Sequence, residues 1–187
     1  EIIQSNDRNA NLKGLKWIMK LKKYDLHRHS GHFIIKKGYS AKNIADILNA
    51  GIQTPVKVII NSTRTTEQIA ASISSQLMLD SATIASKLND MDYLKSKGFD
   101  KDNVFYLIIP NTYEFYWNVS IDGFIERIIK ERDAFWNESR KEKAAKIGLS
   151  PEEVMTLASI IEEETAKNDE LPIVAGLYIN RLKRGML

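Results

Sequence analysis

The chain has 187 residues, 43% hydrophobic and 27% charged, which is enough for one sizeable core or two small ones and reads as soluble and globular. No run approaches the roughly 18 apolar residues of a membrane helix, and no charged-then-apolar leader opens the sequence. Cysteine is absent, which excludes disulfides, thiolate metal sites and thiol nucleophiles; a net charge of +3 from scattered Lys and Arg argues against nucleic acid and suits an acidic partner only weakly. The first residue is Glu1 rather than Met, so an upstream piece holding a leader or anchor is expected.

Leu12, Leu15, Trp17, Ile18 and Leu21 recur at helical spacing before Lys22 and Lys23 and predict a short amphipathic helix. His27, His29 and His32 follow in a polar stretch. Phe33 to Ile35 is a β-prone run, Ser40 an N-cap for a helix through Ile44 and Leu48, and Val56 to Ile60 a strand; together they predict a β-α-β unit from about Phe33 to Ile60. Ile69, Ile73 and Leu77 predict a helix from Thr65, a second begins at Ser81, and Lys97 and Gly98 end a third. Val104 to Ile109 predicts a strand closed by Pro110, and Ile121 to Trp136 a long helix. Ser150, Pro151, Glu152 and Glu153 form a strong helix start, with the helix running to about Ala166; Pro172 opens a last helix through Leu177, Tyr178 and Leu182.

On the helix from Pro151, the stripe Val154, Leu157, Ala158 and Ile161 should face the core. Glu164 falls about 60° from Ile161 on the Leu157 side, whereas Glu162 and Glu163 lie about 100° and 160° away, so Glu164 is the carboxyl expected to turn inward. A carboxyl at a core edge loses hydration, and the raised pKa that follows would suit a general acid. The same three glutamates also read as the acidic end of a solvated helix, the commoner arrangement.

The three histidines lack a carboxylate or cysteine partner, so no metal site is assigned to them. Of Tyr113, Phe115, Tyr116 and Trp117, two should pack inward, because alternate residues of an extended segment face opposite ways. Asn180 and Arg181 could bind a carboxylate or N-acetyl group, or could be surface residues of a basic helix end. Neither a serine triad nor a phosphate loop is present.

The strings Leu157-Ala158-Ser159-Ile160-Ile161-Glu162-Glu163-Glu164-Thr165 and Val174-Ala175-Gly176-Leu177-Tyr178-Ile179-Asn180-Arg181-Leu182, with Gly185-Met186 beyond, closely resemble the endolytic murein transglycosylases of the YceG-like family. Ile109-Pro110-Asn111-Thr112-Tyr113 is similar to that family's L-x-P-D-T-Y segment, with Asn111 in place of Asp. The resemblance implies cleavage of the β-1,4 bond between N-acetylmuramic acid and N-acetylglucosamine, leaving 1,6-anhydro ends. It implies that Glu164 is the general acid and base, that Glu162, Thr165, Tyr113, Glu114, Asn180 and Arg181 contact or orient substrate, and that no cofactor or metal takes part.

Gly38, Ser40, Ile44 and Ala45 resemble a LysM pattern. The expected fold is therefore α+β: an N-terminal helix and linker over 1–32, a LysM-like β-α-β subdomain over 33–60, a helical segment over 61–104, and the first part of a mixed α/β catalytic domain over 105–187. The resemblance implies peptidoglycan strands as partner, peptidoglycan synthases as further candidates, and a periplasmic body held to the inner membrane by an anchor upstream of this chain. Family members continue beyond the Gly-Met pair with a Q-[TA]-D-P-T segment, so part of the cleft is expected to lie outside this chain and little lytic activity is expected of it alone. A non-catalytic wall-binding scaffold using the LysM-like unit is the alternative.

Overall fold

The computed structural model describes residues 12–24, 29–100 and 103–186. In chain order it holds α1 (Leu12–Leu21), α2 (Ala41–Ala50), β1 (Val56–Ile60), α3 (Thr66–Ser74), α4 (Ser81–Leu88), α5 (Met91–Ser96), a 3-10 turn at Val104–Leu107, β2 (Asn111–Phe115), α6 (Ile121–Phe135), α7 (Glu138–Lys146), α8 (Pro151–Glu164) and α9 (Leu171–Lys183). The fold is α+β, with a mainly helical body around one small sheet.

Local chemistry sets the helix starts. Each helix from α2 to α8 is preceded by Ser, Thr, Asp or Asn in extended conformation, whose side chain accepts a hydrogen bond from a backbone N–H of the first turn. Ser150 adds the reciprocal bond: its Oγ accepts from the Glu153 N–H at 3.2 Å, while Glu153 Oε2 accepts from the Ser150 N–H at 2.7 Å. Ser150→Ala is expected to lower stability by about 1 kcal/mol, read as a shift of the urea midpoint at unchanged slope. At the other end of α2, Gly51 sits at φ 63°, and the His29 ring stands 3.0 Å from where a Cβ would lie, so both backbone and space demand glycine there.

β1 and β2 pair antiparallel, Val56 opposite Phe115 and Ile60 opposite Asn111. The alternation turns Val58, Ile60, Tyr113 and Phe115 inward onto the main core, where they meet Ile73 of α3, Ile84 of α4, Leu94 of α5 and Phe124 and Ile128 of α6. A separate minor core joins α1 to α2 through Leu15, Ile44 and Ala45.

Two expectations need correction, and one helix was not anticipated. Phe33 to Ile35 forms no strand, and Ile34 and Ile35 are exposed; the β-α-β unit keeps only its helix and second strand. The edge of β1 away from β2 is already engaged, since Gln76 accepts from the Ile59 N–H at 2.8 Å and donates to the Ile59 carbonyl at 2.9 Å. Val104 to Ile109 is not the second strand either. Its first four residues close a 3-10 turn, and the strand begins beyond Pro110, where a missing N–H costs nothing to the ladder. Finally, α7 had no counterpart in the sequence reading, because only Ala144 of its residues is buried and its apolar periodicity is correspondingly weak.

Candidate functional site

α8 ends at Glu164, and Thr165, in extended conformation, turns the chain toward α9, which packs against α8. The turn is held by its own side chains: the Thr165 hydroxyl donates to Glu170 Oε2 at 2.8 Å, and Lys167 Nζ donates to Glu170 Oε1 at 2.9 Å. These bonds, Lys167 first and Thr165 second, hold the Glu170 carboxyl below its ordinary range.

Beside this turn runs an open groove of about 1390 Å³. One wall is the face of α8 from Glu152 to Glu164 with Thr165; the other is the loop Asn61 to Arg64 after β1, the 3-10 residues Phe105 and Tyr106, and Ile108 to Pro110 before β2. The antiparallel register explains the second wall, because Ile60 and Asn111 are paired and so the chain leaving β1 and the chain entering β2 emerge side by side. Arg64 Nη2 reaches Glu163 Oε2 at 2.8 Å, linking the β1 loop to α8. Both side chains are well exposed, so the link orients more than it stabilises.

Glu162, Glu163, Glu164 and Thr165 all line the groove. Contrary to the helical-phase expectation, Glu164 is exposed rather than drawn inward. The reason is the light packing of α8: Leu157 is its one buried residue, Val154 and Ile161 are half-buried, and Ala158 is exposed. What Glu164 has is a partner the sequence reading did not supply, since its Oε1 accepts from the Tyr178 hydroxyl at 2.7 Å. That bond, ahead of slight burial and the nearby negative charge, pushes the Tyr178 phenol up.

The remaining sequence candidates lie elsewhere. Tyr113 is buried, with its hydroxyl donating to the Ile109 carbonyl and its pKa raised by burial. Glu114 is exposed on β2 opposite Lys57. Asn180 and Arg181 are exposed on α9 off the groove wall, with the Arg181 guanidinium 5.6 Å from the Tyr178 ring centre. His27 lies outside the described residues, and His32 Nδ1 lies 3.1 Å from the Thr54 carbonyl.

Sequence reasoning missed Arg64, Phe105, Tyr106 and Tyr178. Tyr178 was legible only as part of the apolar stripe of α9; a phenol on a face that meets a glutamate-rich helix end is the signal that could have singled it out. The groove presents the exposed Glu164 carboxyl, held from outside by the Tyr178 phenol, and an aromatic face at Phe105, which is 42% exposed.

A solved structure of a yceG-like protein from Listeria monocytogenes is similar to the chain with a TM-score of 0.62 and 22% identity, covering 94% of this chain and 63% of that one. A protein of Bacillus subtilis named endolytic murein transglycosylase is 24% identical over 99% of this chain and 55% of its own length. One of the same name from Streptococcus pneumoniae is 29% identical over 42% of the chain and 14% of its own. The chain thus spans about half the length of the Bacillus relative or less of the streptococcal one. The sequence model of the YceG-like family matches residues 1–187, and the chain belongs to that family.

Proposed function

We propose that this chain is part of an endolytic murein transglycosylase that cleaves the β-1,4 bond between N-acetylmuramic acid and N-acetylglucosamine, with Glu164 as general acid and then base. The observation that carries the reading is the Glu164 carboxyl on the groove wall, at the E-x-E-T position and fixed by Tyr178. The protonated carboxyl gives its proton to the glycosidic oxygen as the bond to C1 breaks. The 6-hydroxyl of the muramyl residue then closes on C1, and the carboxylate takes its proton. No water is consumed, so the scheme needs no second carboxylate to activate one.

In this reading Tyr178 is a positioning residue, and Glu162 and Thr165 shape the wall beside the acid. Phe105 supplies an apolar face for a sugar ring. Asn180 and Arg181, just off the wall, are assigned to substrate carboxylate or N-acetyl groups at the outer end of the groove. Tyr113 and Glu114 support the site through β2. The protein works on peptidoglycan strands outside the cytoplasm, as a periplasmic body anchored to the inner membrane and with peptidoglycan synthases as candidate partners. No described helix is long and apolar enough to cross a membrane. The LysM-like pattern at Gly38, Ser40, Ile44 and Ala45 keeps its helix but not a first strand, and glycan contact is therefore assigned to the Glu164 groove.

The test is incubation of the encoded enzyme with purified peptidoglycan and mass analysis of the products. Strands ending in 1,6-anhydro residues support the reading; glycan binding without such ends would leave a wall-binding scaffold. The contact itself is tested without turnover. In Glu164→Gln the Tyr178 phenol should ionise at lower pH than in the parent chain, because a neutral amide holds its proton less strongly than the carboxylate does, and ¹³C NMR of the tyrosine ring carbon bearing the hydroxyl would report it.

A further inference from the structure

The charge of the chain is unevenly divided. Residues 1–60 hold 11 Lys and Arg against 4 Asp and Glu, a net of +7, whereas residues 61–187 hold 16 against 20, a net of −4. α1 contributes three of those lysines and has no acidic residue. Its inner face carries Leu15 and Ile18, packed on α2. Its outer face, at offsets of three, one, three and one, carries Lys13, Lys16, Trp17, Lys20 and Leu21, all exposed.

Trp17 is 65% and Leu21 63% exposed, the two largest apolar side chains of that face, and both stand among lysines. A basic face that served only for solubility would have no use for them. A soluble polyanion would engage the lysines and leave the indole in water. An anionic bilayer surface engages both kinds of group, ammonium groups at the headgroups and the indole and leucine at the acyl boundary. Lys22 is turned aside, paired with Asp46 of α2 at 2.8 Å, which ties the helix to the body rather than to a partner.

We propose that the outer face of α1 docks on an anionic lipid surface, with Lys13, Lys16 and Lys20 as the electrostatic contacts and Trp17 and Leu21 as the inserted side chains. The acidic remainder of the chain, which includes the Glu164 groove, is repelled by the same surface, so docking through α1 would hold the groove away from the lipid.

The chain is mixed with vesicles of phosphatidylglycerol and phosphatidylcholine, or of phosphatidylcholine alone, and bound protein is measured by sedimentation at low salt and at about 0.15 M. Binding to the anionic vesicles only, weakened by salt, is expected. Trp17→Ala and the triple change Lys13→Glu, Lys16→Glu, Lys20→Glu should each lower the partition coefficient at least about tenfold. A matched triple change on α7, Lys141→Glu, Lys143→Glu, Lys146→Glu, should leave it within about twofold, and circular dichroism checks that each variant is folded. Equal binding to phosphatidylcholine, or an equal loss in the α7 variant, overturns the proposal. So does displacement by soluble polyphosphate with Trp17→Ala unaffected, which would assign the face to a polyanion.

Discussion

Glu164→Gln in the encoded enzyme is expected to cut release of 1,6-anhydro products by about 10⁴-fold, the upper end for a single acid–base group, because one carboxyl serves both halves of the proposed reaction. Gln keeps the size and can still accept the Tyr178 hydrogen bond, so binding to the sacculus should survive, measured by co-sedimentation. Retained product would remove Glu164 from the acid role while leaving the groove intact. Glu163→Gln provides the comparison within the same cluster. That carboxyl is already held by Arg64 at 2.8 Å, and its loss should cost far less product than the loss of Glu164.

The largest stability effect is expected at Phe124. Its ring is 1% exposed and packs 4.8 Å, centre to centre, from Phe115 on β2. Phe124→Ala removes a full ring from a core with little room to collapse and should cost about 3–5 kcal/mol in urea unfolding. For a chain of this size that corresponds to a fall in melting temperature of roughly 6–20 °C. Because Phe124 clamps β2 from α6, the variant should also loosen the groove wall at Ile108 to Pro110, which enters β2 directly.

Capping chemistry and apolar periodicity carried most of what the sequence made legible. Ser40 and Ser150 announced their helices because a side-chain oxygen at the right place satisfies a backbone donor whatever the tertiary context, while the helices that Thr65 and Ser120 cap were legible through their apolar spacing. That two of Tyr113, Phe115, Tyr116 and Trp117 turn inward was legible in the same local way, through the alternation of an extended segment, and the structure shows the buried pair to be Tyr113 and Phe115. Strand partners were not. Phe33 to Ile35 is as β-prone as Val56 to Ile60, but a strand exists only where an edge is open, and Gln76 occupies the edge at Ile59.

The site divides along the same line. Glu162, Glu163, Glu164 and Thr165 were all legible as one helix end, and all line the groove. Helical phase failed to predict the exposure of Glu164, because phase says which face a residue shares with the stripe and not how firmly the stripe is buried. Phe105 and Tyr106 could not be assigned from a segment read as a strand, and Arg64 meets Glu163 across 99 positions of sequence, beyond any local pattern.

The pairing of Ile60 with Asn111 gives the groove a fixed gauge, independent of what the chain does between those two residues. The fifty positions between them leave and return at one end of the ladder, so an insertion in the loops joining α3, α4 and α5 lengthens a detour and leaves the wall where it is. A single deletion within β1 or β2 behaves differently. It turns the inward side chains outward and displaces the Arg64 loop by one residue step, about 3.3 Å, against the chain before β2. Length drift in relatives should accordingly collect between the strands and spare the strands themselves.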